Sequence, residues 1–352
     1  MTAAAPLHVL VVDDSAVVRE VLTDLLSQDP GLTVATAGDP MIAMTKMRIQ
    51  RPQVIVLDLE LPRMDGLTFL RKIMTEDPIP VVVCSSQTPA GSDEALRALE
   101  EGAVDVIAKA RLGVREFLRE SSDRLLDAVR SAATARVAAA RRPPAVPFLG
   151  SKPLLTVTTD KVMALGASTG GTEALREILQ ALPPSAPGVV IVQHMPEGFT
   201  NAFARRLDSI CRVEVKEAAD GDRVLAGRAL IGPGNRHTTL RRSGGHYIVE
   251  VKDGPLVSRH RPSVDVLFES VAAEAGRNAV GAILTGMGSD GARGLLAMRN
   301  NGARTLAQDE ASCVVFGMPA VAIAQGAVDR VVPLERMAEV LLAEANALSA
   351  KA

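Results

Sequence analysis

The sequence has no tryptophan, one tyrosine (Tyr247) and only 2% aromatic residues. A stacking platform for single-stranded nucleic acid is therefore not expected. Its three cysteines, Cys84, Cys211 and Cys313, are too few and too scattered for a disulfide framework or a Cys-x-x-Cys metal knuckle, and they suit a reducing compartment. Neither sign of charge dominates: 39 basic residues face 41 acidic ones, a net of −2, so no basic field exists to hold nucleic acid or anionic lipid. No apolar run approaches the roughly 20 residues of a membrane span. No charged segment followed by a long apolar stretch opens the chain. The expectation is a soluble, cytoplasmic protein with no membrane insertion and no nucleic-acid partner.

What is present is an ordinary globular composition, 47% hydrophobic and 23% charged over 352 residues, enough for roughly two domains. Charge is spread unevenly. Residues 1–133 carry 20 acids and 14 bases, residues 134–160 one acid and four bases, and residues 161–352 20 acids and 21 bases. The middle segment contains Pro143, Pro144, Pro147 and Pro153 and reads as a linker. The expected domains are 1–133 and 161–352, joined by 134–160.

In the first 133 residues, apolar runs at Leu7–Val12, Leu32–Thr36, Val54–Leu57, Pro80–Cys84 and Val104–Ile107 alternate with stretches of helical spacing. Five strands alternating with helices predict a parallel sheet covered on both faces. The second domain repeats the pattern. Strands are expected at Val162–Leu165, Val189–Val192, Val280–Leu284 and Val328–Val332, and helices near 171–181, 198–208, 262–275 and 334–348. Between 212 and 251, short alternating runs and glycine turns predict an antiparallel hairpin section. The predicted fold class is α/β: two doubly wound, mostly parallel sheets, with functional residues gathered at the carboxyl ends of strands.

Those strand ends carry chemistry. Asp13 and Asp14 follow the first strand, Asp58 the third, Ser85 and Ser86 the fourth, and Lys109 the fifth. Three crowded carboxylates repel unless a cation sits among them, and a hard divalent ion, Mg²⁺ by preference, suits oxygen ligands. Lys109 and a serine hydroxyl are matched to phosphate oxygens. The alternative is that Asp13 and Asp14 merely cap the first helix.

In the second domain, Gly166-Ala-Ser168-Thr169-Gly170 stands between a strand and a helix, matching a nucleophile turn. A phosphate-cradling loop is the alternative, although the Gly-x-Gly-x-x-Gly spacing and a P-loop lysine are missing. His194 and Asp290 also lie just past strand ends, so Ser168, His194 and Asp290 can converge as nucleophile, base and orienting acid. Their chain order differs from that of the α/β-hydrolases known for this turn, so that fold is not inferred. The Gly286–Gly291 loop can turn N–H groups toward an oxyanion. His237 and His246 are expected to be exposed. His260, in a basic Arg-His-Arg loop, could face substrate or be a solvated surface residue.

With VLVVDDS at 9–15, VIVLDLELPRMDGL at 54–67, VVVCSS at 81–86 and DVIAK at 105–109, residues 1–133 resemble a flavodoxin-like response-regulator receiver. The resemblance implies phosphorylation at Asp58, Mg²⁺ held by Asp13, Asp14, Asp58 and the Glu60 carbonyl, and a switch pair of Ser85 and Lys109. It departs at Val106, where receivers usually carry an aromatic, and at Ala110, usually proline. Residues from about 161 to 335 resemble the chemotaxis protein-glutamate methylesterase family, through ALGASTGGTEAL (164–175), VQHMPEGFT (192–200), DGPLVSRHRPSVDVLFES (253–270), GAILTGMGSDGA (281–292) and AQDEASCVVFGMP (307–319). This implies a cofactor-free Ser168–His194–Asp290 hydrolase, supported by Thr169 and the Met287 backbone N–H. It would act on chemoreceptor glutamate methyl esters and glutamines, and a histidine kinase would phosphorylate its receiver.

Overall fold

A computed structural model describes residues 6–61, 64–86, 88–109, 115–136 and 160–348. Ala110 and most of the expected linker, residues 137–159, lie outside the described residues. The chain divides into two compact units, Met1–Arg142 and Pro143–Ala352.

The first unit runs β1 (Leu7–Val12), α1 (Ala16–Leu26), β2 (Leu32–Ala37), α2 (Pro40–Ile49), β3 (Val54–Asp58), α3 (Gly66–Glu76), β4 (Val81–Ser85), α4 (Pro89–Glu100), β5 (Asp105–Ala108) and α5 (Arg115–Thr134). Its sheet is parallel, in the order β2-β1-β3-β4-β5. All residues of β3 and β4 are buried, as strands covered by helices on both faces must be. The cap of α1 decides one open question. Ser15, not Asp13 or Asp14, is the N-cap and accepts from Val18 N–H.

The second unit contains β6 (Val162–Ala167), α6 (Gly171–Ala181), β7 (Gly188–Gln193), α7 (Phe199–Ile210), β8 (Glu214–Glu217), β9 (Arg228–Ile231), β10 (His237–Ser243) and β11 (His246–Lys252). It continues through α8 (Val264–Glu274), β12 (Ala279–Ile283), α9 (Ala292–Asn300), β13 (Arg304–Gln308), α10 (Met318–Ala324), β14 (Arg330–Val332) and α11 (Leu334–Ala347). Seven parallel strands are ordered β14-β13-β12-β6-β7-β9-β8. From β6 the chain builds outward through β7 on one side and later through β12 on the other. The carboxyl end of β6 is thus the switch point where such sheets place their sites.

The antiparallel expectation for 212–251 holds only for β10 and β11, which pair as a separate hairpin. β8 and β9 are parallel members of the main sheet. β8 is the edge strand and is mostly half-buried, whereas β9 lies between β7 and β8 and is buried over its last three residues. Strand β13 and helices α9 and α10 were not expected; the Arg-Thr-Leu-Ala-Gln of β13 has no apolar run to mark it.

All three cysteines are buried and outside any disulfide, and burial pushes the Cys84 thiol up to about 12. Among the described residues, no helix is long and apolar enough to cross a membrane.

Gly170 shows how tightly the β6–α6 turn is built. It caps α6 at φ +77°, and an added Cβ would stand 2.6 Å from the Val314 side chain. Left-handed backbone strain and overpacking together predict that Gly170→Ala destabilises the second unit by about 2–4 kcal/mol. Urea unfolding checks this, and a change within about 0.5 kcal/mol would contradict it.

Candidate functional site

The strand ends of the first unit form an acidic pocket. Asp13, Asp14 and Asp58 place carboxylate oxygens within 4.8 Å of one another. Asp13 and Asp58 are buried and Asp14 is exposed. Lys109 Nζ donates to Asp58 Oδ2 at 2.6 Å and stands 3.6 Å from Asp13 Oδ2. Asp13 Oδ1 accepts from Ser15 N–H, and Arg19 ties the Asp13 and Asp14 carbonyls. Asp13 Oδ2 is buried with no hydrogen-bond partner. An orphaned buried carboxylate oxygen beside two more carboxylates fits a metal ion, and these residues could hold one. Glu60 contributes its N–H to Asp58 Oδ1 at 3.1 Å. The Ser85 hydroxyl does not face the acids here; it donates to the Gly91 carbonyl at 3.0 Å. Val106 is buried at the usual aromatic position.

The second unit brings Ser168, His194 and Asp290 to adjacent loops. Ser168 follows β6, His194 follows β7, and Asp290 lies in the loop after β12. Ala167 and Gln193 pair in register, and His194 N–H donates to the Ala167 carbonyl at 3.0 Å. All three side chains are buried. His194 Nε2 lies 2.8 Å from Asp290 Oδ2. The same carboxylate accepts from Val264 N–H, Asp265 N–H and the Ser263 hydroxyl at 2.7, 3.1 and 2.7 Å. Burial pushes Asp290 up, but the hydrogen bond and charge of His194, with Ser263 and Val264, outweigh it and hold the carboxyl at about 2. An ionised carboxylate only accepts, so Nε2 carries a hydrogen, and in the neutral ring Nδ1 is the nitrogen left with a lone pair. Nδ1 is buried with no hydrogen-bond partner, so no bond yet joins it to Ser168.

The oxyanion candidates stand nearby. A Cβ on Gly286 would lie 2.6 Å from Ser168 Cβ, so the backbone leading into Met287 passes directly against the nucleophile turn. Ser168 N–H is already committed to the Thr285 carbonyl at 3.0 Å. Thr169 is buried, and its carbonyl accepts from the Thr285 hydroxyl at 3.0 Å.

Three residues matter that sequence reasoning passed over or undervalued. Gln193 Nε2 donates to the Ser168 carbonyl at 2.9 Å and the His194 carbonyl at 3.3 Å, stapling the two loops together. Its place at the last position of β7 was the available signal. His260, left open between substrate contact and solvated surface, stacks on His194 with ring centroids 3.7 Å apart and an 11° interplanar angle. His237, expected exposed, is buried. Ser263 N–H donates to its Nδ1, and its Nε2–H donates to the Pro255 carbonyl at 2.8 Å. The first four residues of β10 are all buried, His237 among them, so the hairpin's alternation does not apply there. His246 is also half-buried rather than exposed.

The acidic pocket has a pH signature. Burial pushes Asp58 up to about 6 from the ordinary 3.8, against the opposing pull of Lys109. A carboxyl raised in the folded state gives stability that is present below pH 3.8 and lost as pH rises through 6. Asp58→Asn, neutral throughout, is expected to stabilise the first unit by about 2–3 kcal/mol above pH 7 and by little below pH 4. Urea unfolding at the two pH values tests this, and equal gains at both would remove burial of charge as the cause.

Residues 9–118 match the response regulator receiver domain, and residues 163–341 match the CheB methylesterase family. The chain is 61% identical to protein-glutamate methylesterase/protein-glutamine glutaminase 5 of Anaeromyxobacter dehalogenans, over 97% of each chain. It is 58% identical to protein-glutamate methylesterase/protein-glutamine glutaminase 3 of Geobacter metallireducens, over 96% of this chain and 98% of that one. Among solved structures, the CheB methylesterase catalytic domain of Thermotoga maritima is similar at 38% identity and a TM-score of 0.51, covering 52% of this chain and 97% of its own. With both halves matched and relatives alike along almost their whole length, the chain belongs to the CheB methylesterase family, carrying a response regulator receiver domain ahead of the catalytic one.

Proposed function

We propose that this chain is a phosphorylation-activated hydrolase that removes methyl esters from chemoreceptor glutamates, releasing methanol, and deamidates receptor glutamines to glutamate. The observation that carries this reading is the buried, unpartnered Nδ1 of His194, on a ring whose other nitrogen is tied to Asp290, beside the Ser168 turn. The domains are taken as a receiver over 1–133, a linker over 134–160 and a catalytic domain over 161–352, acting in the cytoplasm.

Ser168 Oγ attacks the ester carbonyl while His194 Nδ1 takes its proton. The developing oxyanion is met by the Met287 N–H, with Thr169 in support. Asp290 steadies the imidazolium and keeps its tautomer. His194 then returns the proton to the departing methanol, leaving an acyl-Ser168. Water, deprotonated by His194, attacks that acyl group and frees glutamate and Ser168. A glutamine side chain follows the same path with ammonia leaving, because amides and esters share the tetrahedral intermediate.

In the receiver, Asp58 is the phosphate acceptor, supplied by a histidine kinase. Mg²⁺, held by Asp13, Asp14, Asp58 and the Glu60 carbonyl, would neutralise charge on the incoming phosphoryl group. Lys109 would exchange its bond to Asp58 for one to a phosphoryl oxygen. Ser85 would leave the Gly91 carbonyl to donate to another. That pairing is the switch.

Four outcomes test the reading in the full chain. Methanol release from methylated chemoreceptor membranes should rise with acetyl phosphate and Mg²⁺. Ser168→Ala should abolish it, and Asp58→Asn should abolish only the rise. Asp290→Asn, which presents an amide to a carboxylate's donors, should lower kcat by about 10³-fold or more. Persistence of release in Ser168→Ala would dismiss the serine mechanism.

A further inference from the structure

Among the described residues of the second unit, a second carboxylate besides Asp290 is buried: Asp265, in the first turn of α8. Its Oδ1 accepts from Gly291 N–H at 3.0 Å and Gly294 N–H at 2.8 Å. Its Oδ2 accepts from the Ser258 hydroxyl at 3.4 Å and lies 3.6 Å from an Arg293 nitrogen.

These partners have a pattern. Gly291 is the N-cap of α9, at φ +91°, and has no side chain to accept from the helix's first N–H groups. An N-cap side chain normally accepts from the third helical residue, which here is Gly294. Asp265 takes that place from another helix. The reverse bond is also made. The first-turn N–H groups of α8, on Val264 and Asp265, are accepted by Asp290, which immediately precedes Gly291. The two helices thus exchange caps, each carboxylate sitting at the foot of one helix and closing the start of the other. The fit leaves no slack: a Cβ at Gly291 would meet Val264 at 2.5 Å, and one at Gly294 would meet the Asp265 carbonyl at 2.8 Å.

Resting on the hydrolase reading above, we infer that Asp265 is a positioning residue for catalysis, which sets the Gly286–Gly291 loop, and so Asp290 and the Met287 N–H, against His194 and Ser168. It touches no substrate. It fixes the loop through α9 and contributes a negative charge behind Asp290. Every contact to it is a donor, so it serves as an acceptor, although burial and the nearby Asp290 charge push its carboxyl above the ordinary range. The charged groups around it are Asp290 and Arg293 from the α9 side and Glu269 from its own helix. His194, with His260 stacked upon it, lies beyond Asp290.

The test compares Asp265→Ala and Asp265→Asn in the full chain, with methylated chemoreceptor membranes, acetyl phosphate and Mg²⁺. Asp265→Ala removes the trans cap and should lower kcat by about 10–100-fold with KM within about twofold, since small displacements of catalytic groups have effects of that size. Faster hydrogen exchange across residues 286–294 should accompany it, a readout that needs no activity. Asp265→Asn keeps an oxygen for Gly291 and Gly294 and should restore kcat to within about threefold of wild type. Its missing charge no longer favours an imidazolium, so the acid limb of its pH–rate profile should move to lower pH. Unchanged kcat, exchange and pH profile in Asp265→Ala would overturn the inference. So would equal losses of kcat in both variants with the acid limb unmoved. If wild type itself releases no methanol, the hydrolase reading fails instead, and the exchange result still decides whether Asp265 holds the loop.

Discussion

The second unit turns on the Asp290 carboxylate. It accepts four hydrogen bonds from groups that arrive from two directions, one from the base after β7 and three from the start of α8. Remove those donors and a buried charge would be untenable; supply them and it becomes a rigid point of reference. The ring of His194 takes its tautomer from that charge, and the loop carrying Met287 takes its course from the same anchorage. The tight glycine turns then follow as necessities, because the backbones of three loops must approach one another within a few ångströms.

The two units handle buried acid in opposite ways. In the second, four donors surround one carboxylate and hold it ionised. In the first, the buried carboxylates of Asp13 and Asp58 share one cation, Lys109, and burial leaves Asp58 raised and one Asp13 oxygen without a hydrogen bond. The former arrangement is complete at rest. The latter is under-compensated, which is the condition a site needs if added positive charge or a transferred phosphoryl group is to change its energy.

Much of this was legible in the residues. Runs such as Val54–Leu57 and Val189–Val192 are too short for buried helices and too uniformly apolar for half-wet strands, so parallel strands follow. Asp58, Ser168 and His194 declare themselves by standing directly after such runs. What could not be read depends on packing between distant segments. The edge strand β8 and the short β9 beside it lack the long apolar run of the central strands. His260 is ordinary in sequence until the chain folds its loop over His194. Asp265 looks like a helix-favouring acid on α8, and only the approach of α9 reveals whose N–H groups it accepts. The Ser85 hydroxyl could equally face phosphate or backbone, and in the resting state it faces the Gly91 carbonyl.

The burial of all three cysteines has a practical reach. A buried thiol reacts poorly with maleimides or disulfide reagents, and at Cys84 burial also holds the group far from its thiolate form. The natural chain is therefore close to a cysteine-free background for surface labelling. A single cysteine introduced on an exposed helix of either unit would dominate the reaction with a dye or spin label. Paired labels, one on each unit, would then report the distance between receiver and hydrolase in solution, with no native cysteine removed.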